Sequence, residues 1–279
     1  MNYITPNVGL GLRPSLKSEI LNFPESFDCL EFIADAYFAL TDFQDKELSN
    51  LSDLFTLIPH GLSLSIGSVE RPPQSYLDTI ARLLEVVQPT YYSDHFAITR
   101  TLEKALGHLS PLWYTDEVLD VVIKNVTSIQ RFLGIPLVLE TITHEFNIPC
   151  STLSQSEFIT AVCNETGCGI LLDVTNIFIN SKNLDTDPKA FISSLPKSSI
   201  KQLHIVGYTT DNTGLLLDTH SSAIQPELWE LYDYTLSVCN PDYVIIERDS
   251  HFPDITELIA EVKRARTPVI NHGGIDVIS

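Results

Sequence analysis

Four stretches, Leu137-Val138-Leu139-Glu140, Ile170-Leu171-Leu172-Asp173, Lys201-Gln202-Leu203-His204 and Val244-Ile245-Ile246-Glu247, share one form: a short strand-like run ending on a carboxylate or an imidazole. An apolar run of this length between turn signals marks a strand buried on both faces, as in a parallel sheet. Two earlier runs end the same way, at His60 and His95. In a closed parallel sheet all C-terminal strand ends face one rim. His60, His95, Glu140, Asp173, His204 and Glu247 would then converge, and together they read as a site rather than as scattered polarity.

Working outward, the periodicity alternates between strand and helix. Strands are predicted at 8–13, 29–35, 56–60, 90–95, 136–140, 169–173, 200–204 and 243–247, and helices at 75–87, 116–133, 155–166, 188–195, 226–238 and 256–265. In the segment 116–133, Val118, Leu119, Val122, Val126, Ile129 and Leu133 recur at the spacing of one helix face. Repeated βα units imply parallel strands joined by right-handed crossovers, and eight units imply closure. The 279 residues, 44% hydrophobic, suit such a barrel, for which about 250 residues is typical. The expected fold is therefore α/β, a TIM-like (β/α)8 barrel forming a single domain over 1–279, with a metal site at the C-terminal rim of its strands. No linker or low-complexity run divides the chain. The segment 209–217 reads as a loop after the seventh strand, and 268–279 as a short extra strand or a frayed end.

A formal net charge of −19, from 17 Lys and Arg against 36 Asp and Glu, offers no basic surface for nucleic acid. There is no apolar run of about 18 residues to span a membrane, and residues 1–10 lack the basic and apolar blocks of a signal peptide; the expectation is a cytoplasmic protein. Cys29, Cys150, Cys163, Cys168 and Cys239 are odd in number and show no CxxC spacing, so they read as buried free thiols.

Three imidazoles and three carboxylates exceed what one tetrahedral zinc takes. Mixed ligation of this kind suits iron, manganese or zinc, and Glu140 or Glu247 could bridge two ions. Asn176, three residues past Asp173, and Asp218 and His220, after the 209–217 segment, could hold a further, weaker ion; for Asn176, turn duty is an equal alternative. Asp94 is expected to orient a neighbour, and Arg13 to pair with an inner carboxylate. His108, His144, His251 and His272 stay outside the ligand set, with supporting roles open to His144 and His251. The same ligands could serve a divalent-metal sugar isomerase, a zinc phosphodiesterase of the apurinic endonuclease type, or a non-catalytic metal- or peptide-binding module. The acidic charge counts against the nuclease.

Several motifs in order carry a family resemblance: Gly9-Leu10-Gly11-Leu12-Arg13, His60-Gly61-Leu62-Ser63-Leu64-Ser65-Ile66-Gly67-Ser68, Ser93-Asp94-His95, Thr166-Gly167-Cys168, Leu171-Leu172-Asp173-Val174-Thr175-Asn176, Asp218-Thr219-His220-Ser221 and Trp229-Glu230-Leu231-Tyr232. From about residue 8 to about residue 262 the chain resembles the multinuclear non-heme iron-dependent oxidases, the methanobactin-oxidase-like family. The resemblance implies a barrel holding two to three iron ions, of mixed Fe(II)/Fe(III) state when active. It also implies dioxygen as co-substrate, a ribosomally made, cysteine-containing precursor peptide as substrate, and a small companion protein that presents the peptide. By motif, His60, His95 and Glu140 would hold one iron, Glu140, Asp173, His204 and Glu247 would surround a second, and Asn176, Asp218 and His220 match a third position. The chain departs from the pattern at Thr141, Tyr208 and Arg248, where members often carry Asn, His and Trp. None of the three is an expected ligand, but such neighbours tune a metal's reactivity.

Overall fold

The computed structural model describes residues 5–269 apart from 40, 102, 103 and 145. Eight parallel strands close into a barrel: β1 (Asn7–Leu12), β2 (Cys29–Ile33), β3 (Thr56–His60), β4 (Tyr92–His95), β5 (Leu137–Glu140), β6 (Gly169–Asp173), β7 (Ile200–Ile205) and β8 (Tyr243–Ile246). They follow one another around the barrel in chain order, and β8 pairs with β1 to close it. Each predicted strand coincides with one of these to within two residues at either end.

Because successive strand side chains alternate in direction, each strand feeds two compartments. One set, including Leu137, Leu139, Ile170, Leu172, Leu203, Val244 and Ile246, belongs to the large core that also contains the helix residues. The alternate set begins with a separate apolar cluster of Cys29, Ile58, Tyr91, Val138, Leu171 and Ile245. Two residues further along the same strands stand Glu31, His60, Ser93, Glu140, Asp173 and Glu247, all buried. The barrel is thus plugged by apolar side chains below and polar ones above. On β1 the corresponding positions are glycines, and the space demands it: a Cβ on Gly9 would lie 1.9 Å from the Cys29 carbonyl oxygen, and one on Gly11 3.1 Å from the Arg13 guanidinium.

The surrounding helices form where amphipathic spacing and caps agree. The helix Asp116–Leu133 starts at Thr115, whose side chain accepts from the Val118 N–H, and stops at Gly134 with φ 73°. It buries Val122, Val126 and Ile129, each contributing about 1.5–3 kcal/mol by removal from water. The helix Gln155–Thr166 opens with a capping box between Ser154 and Glu157.

Three helices lie outside the sequence expectation: Lys17–Asn22, Asp42–Ser52 and Val174–Asn183. The last is buried from Val174 through Ser181, so it has no polar face to give a period. The segment 209–217 is not a simple loop. It is the tip of an antiparallel hairpin, Gly207–Thr210 with Leu216–Ser222, whose turn is tied by Asp211 Oδ1 accepting from the Thr213 and Leu215 N–H groups. A second hairpin pairs Ile98–Arg100 with Ala105–Ser110. The expected extra strand or frayed end reaches beyond residue 269, and His272 likewise lies outside the described residues. All five cysteines are free, but Cys150 is exposed, since it sits in the segment between β5 and the next helix rather than on a core face. Among the described residues no helix is long and apolar enough to cross a membrane.

Candidate metal centre

Parallel strands end together, so residues distant in sequence meet at the rim. Glu140 Oε2 lies 3.3 Å from His60 Nε2, 3.3 Å from His95 Nε2 and 3.7 Å from His204 Nδ1. His204 Nδ1 is in turn 2.9 Å from Glu247 Oε2. The His60 ring lies 4.7 Å from that of His95 and 5.5 Å from that of His204, centroid to centroid. One carboxylate oxygen thus faces three imidazole nitrogens.

Three sets of side chains have ligand atoms within 4.8 Å of one another: His60, His95 and Glu140; Glu140, Asp173, His204 and Glu247; and His220, Glu247 and Asp249. Glu140 belongs to the first two and Glu247 to the last two, as expected for bridging carboxylates. His220 comes in on the hairpin strand Leu216–Ser222, with Nε2 2.7 Å from Asp218 Oδ1 and Nδ1 3.1 Å from Asp249 Oδ2. Asn176 lines the same cavity of about 320 Å³ as His60, His95, Asp218 and His220. It is not the cap of its helix: Asp173 is, with Oδ1 accepting from the Asn176 N–H at 2.9 Å. Asn176 Nδ2 donates to the Thr141 carbonyl at 3.1 Å, which leaves its own Oδ1 without a hydrogen bond.

That orphaned oxygen has company. Glu140 Oε2, Asp173 Oδ2 and His204 Nδ1 are also buried without a properly angled hydrogen bond. Leaving such groups unsatisfied costs about 1–3 kcal/mol each, more when charged, and hard or borderline cations at adjoining positions would satisfy them. Oxygen and nitrogen donors in this mixture fit iron, manganese or zinc.

The electrostatics agree. Burial pushes the Asp173 carboxyl up to about 8, helped by the negative charges of Asp218 and Glu140. Burial opposes charging His95, but Glu140, Asp94 and Glu247 prevail and raise it to about 9. His220 is raised to about 12 against its burial, by Glu247, Asp218 and Asp249. His204, beside Glu31, Glu247 and Glu140, rises well above the ordinary imidazole range despite its desolvation. Glu247 is held far below the usual carboxylate range despite its burial, chiefly by His204 and His220, with Arg13 adding to them. Without an ion the rim balances its excess of carboxylates with protons, and a bound cation would take their place.

The supporting residues follow from the same strands. His60 Nδ1 meets Ser93 Oγ at 2.9 Å, so its Nε2 is the atom turned to Glu140. Asp94 orients its surroundings, accepting from the His95 N–H at 2.7 Å and the Leu64 N–H at 3.1 Å. Arg13 pairs with Glu247 at 3.3 Å and with Asp249 at 2.5 Å. His144 lines a separate cavity of about 400 Å³, His108 bonds within its own hairpin, and His251 is exposed. At the three departures, Thr141 Oγ1 accepts from the Asp173 N–H, Tyr208 donates to Glu227, and Arg248 reaches the Ser221 carbonyl and Glu261.

Sequence reasoning missed two acidic residues of this centre. Asp249 lies two residues past Glu247 in an irregular stretch, where only the period-two relation to Glu247 hinted at it. Glu31 sits mid-strand in Cys29-Leu30-Glu31-Phe32-Ile33, where a charged residue reads as solvent-facing, yet it is fully buried.

Comparison with known proteins gives this geometry a lineage. The family model described as the RiPP precursor modification enzyme MbnB/TglH/ChrH matches residues 7–269. A UPF0276 protein of Rhizorhabdus wittichii is 33% identical over 262 residues, covering 92% of this chain and 93% of the relative. A UPF0276 protein of Chromobacterium violaceum is 31% identical, covering 96% and 95%. Among solved structures, a D-psicose 3-epimerase superposes with a TM-score of 0.60 at 12% identity over 93% of this chain and 96% of the other, and a D-tagatose 3-epimerase-like protein with 0.60 at 14% over 95% and 98%. These two similarities concern the fold, a TIM barrel of the kind those epimerases share. The match over nearly the whole length, carried by sequence, decides the rest: the chain belongs to the MbnB/TglH/ChrH family of RiPP precursor modification enzymes.

Proposed function

We propose that this protein is an iron- and dioxygen-dependent oxidase that modifies a cysteine of a ribosomally synthesised precursor peptide, with a small companion protein presenting the peptide. The observation that carries the reading is the pair of shared carboxylates, Glu140 and Glu247, linking three adjoining ligand sets into one multinuclear centre. Membership of a precursor-modifying family supports a peptide substrate.

In this reading His60, His95 and Glu140 hold one ion, Glu140, Asp173, His204 and Glu247 a second, and Asn176, Asp218 and His220 a third, with Asp249 beside it. Iron held by these residues would supply the redox capacity that oxidation of a thiol needs, which zinc, having no accessible redox change, would not. The protein's own share is shape and charge. Leu62, Leu109 and Ile142 add apolar surface to the lining of the cavity, which would limit water around the reacting group. The volume of about 320 Å³ admits a side chain with a short length of backbone, and so favours a flexible peptide over a folded partner. Arg13 holds Glu247 and Asp249 in place from the first strand end and neutralises part of their charge. The alternatives on the same barrel, a sugar isomerase or a phosphodiesterase, could use the same ligands and share the fold, but the family match does not point to them.

The test uses enzyme and companion purified anaerobically, mixed with a precursor peptide or with its Cys-to-Ser form, then exposed to dioxygen. The cysteine peptide is expected to give a sulfur-to-iron(III) charge-transfer band before any mass change, and the serine peptide neither. Equal modification of both peptides would exclude thiolate ligation and move the weight to the alternatives.

A further inference from the structure

His204 differs from the other two inner imidazoles. His60 and His95 turn Nε2 toward Glu140, whereas His204 turns Nδ1 toward Glu140 and Glu247. Its Nε2 points down into the barrel, where it lies 3.0 Å from Glu31 Oε2. Glu31 is fully buried on β2, and its hydrogen bonds among the described residues are to Gln202 and His204. Its Oε2 also accepts from Gln202 Nε2, and Gln202 Oε1 accepts from the Tyr91 hydroxyl at 2.6 Å. Gln202 Nε2 stands 2.9 Å from the His204 nitrogen.

We propose that Glu31 is a positioning residue that fixes His204 with Nε2–H bonded downward and the Nδ1 lone pair presented to the ions. The assignment follows from donors and acceptors. The Tyr91 hydroxyl donates to Gln202 Oε1, which fixes the orientation of the amide and leaves its nitrogen as the group facing Glu31. A carboxylate can accept at one oxygen from both Gln202 Nε2–H and His204 Nε2–H. Were the amide instead to donate to His204 Nε2, the ring proton would sit on Nδ1, between two carboxylates that are needed for metal. A carboxylate behind a metal-bound imidazole raises its basicity and locks its orientation, and removal of such a partner typically costs about 10–100-fold in metal affinity. The chain Tyr91–Gln202–Glu31–His204 crosses the barrel from Tyr91, the residue before β4, to β7 and β2, so the ring is held by the scaffold and not by the ions alone.

The inference rests on the metal reading of the rim. Its test is metal binding and nuclear magnetic resonance of zinc-loaded protein carrying 15N-labelled histidine, near pH 7. In the wild type, His204 is expected to show a slowly exchanging, downfield Nε2–H with a contact to the Gln202 amide, and a metal-bound Nδ1. Glu31→Leu is expected to lose that proton signal and to weaken the ion held by His204 about 10–100-fold, while the ion held by His60 and His95 keeps its affinity. Glu31→Gln, whose amide oxygen can accept the same proton, is expected to restore most of the affinity. An unchanged signal and unchanged affinity in Glu31→Leu would overturn the proposal, as would equal weakening of every ion, which marks a merely structural role. If Glu31→Leu fails to fold, the wild-type spectrum decides: a protonated Nδ1 or a metal-bound Nε2 contradicts it. These outcomes are separable from failure of the metal reading itself, which shows as wild-type protein that takes up no ion.

Discussion

Glu140 Oε2 is the oxygen on which the inner ligands converge, with His60 and His95 each 3.3 Å away. On the proposed reading, Glu140→Ala would remove a ligand from two ions at once. Bound iron should fall to at most one ion per chain and turnover should become undetectable; wild-type activity in this variant would show that the chemistry happens elsewhere. Asn176→Ala touches only the outer position, so it should lower occupancy there while two irons remain, as read by elemental analysis. The six inner candidates were readable from sequence because each stands at or next to the end of a strand-like run, and in a closed parallel sheet those ends share one rim. Asn176, Asp218 and His220 were readable more weakly, from their places just beyond the strand ends, and the resemblance matched them to a third position. Glu31 and Asp249 were not readable: the first is hidden mid-strand, where inward and outward positions look alike, and the second follows a strand end by two residues in irregular backbone.

The elements divide the same way. Helices with one apolar face, such as Asp116–Leu133, announce themselves, whereas Val174–Asn183 is buried all round and carries no period. The hairpin Gly207–Thr210 with Leu216–Ser222 was hidden because its Thr and Ser positions are partly buried or exposed and show no alternation. Its turn depends on Asp211, which accepts from two backbone N–H groups at 2.8 and 2.9 Å. Asp211→Ala should loosen the hairpin that carries Asp218 and His220 and so lower occupancy of the third ion, leaving the inner two bound. A control comes from a residue outside the ligand sets: Ser154→Ala breaks a capping box and should cost about 1 kcal/mol, typical for an N-cap. Thermal denaturation should register that loss with iron content unchanged.

At the scale of the whole molecule, a barrel that concentrates carboxylates at one rim should depend on pH in a way set by its ions. In metal-free protein Asp173 is raised to about 8 and His95 to about 9, so both hold protons in the folded state that the unfolded chain releases earlier. The folded state then binds more protons than the unfolded one, and stability falls as pH rises. For His95 the stabilisation is complete below its ordinary value of 6.5 and is lost as pH climbs through about 9. His220, raised to about 12, slopes the same way over this range. Glu140 and Glu247, both depressed against their burial by the neighbouring histidines, are already ionised and add no slope. The midpoint of thermal unfolding of metal-free protein should therefore drop between about pH 6 and about pH 9. Metal uptake should strengthen over the same interval, because the ligands must shed their protons to bind. A metal-free midpoint that rises with pH would refute the charge balance drawn for the rim. The most direct test of the central claim is elemental analysis of protein made with ample iron and purified without oxygen. The account predicts two to three irons per chain, and a stoichiometry of one zinc with no iron would contradict it.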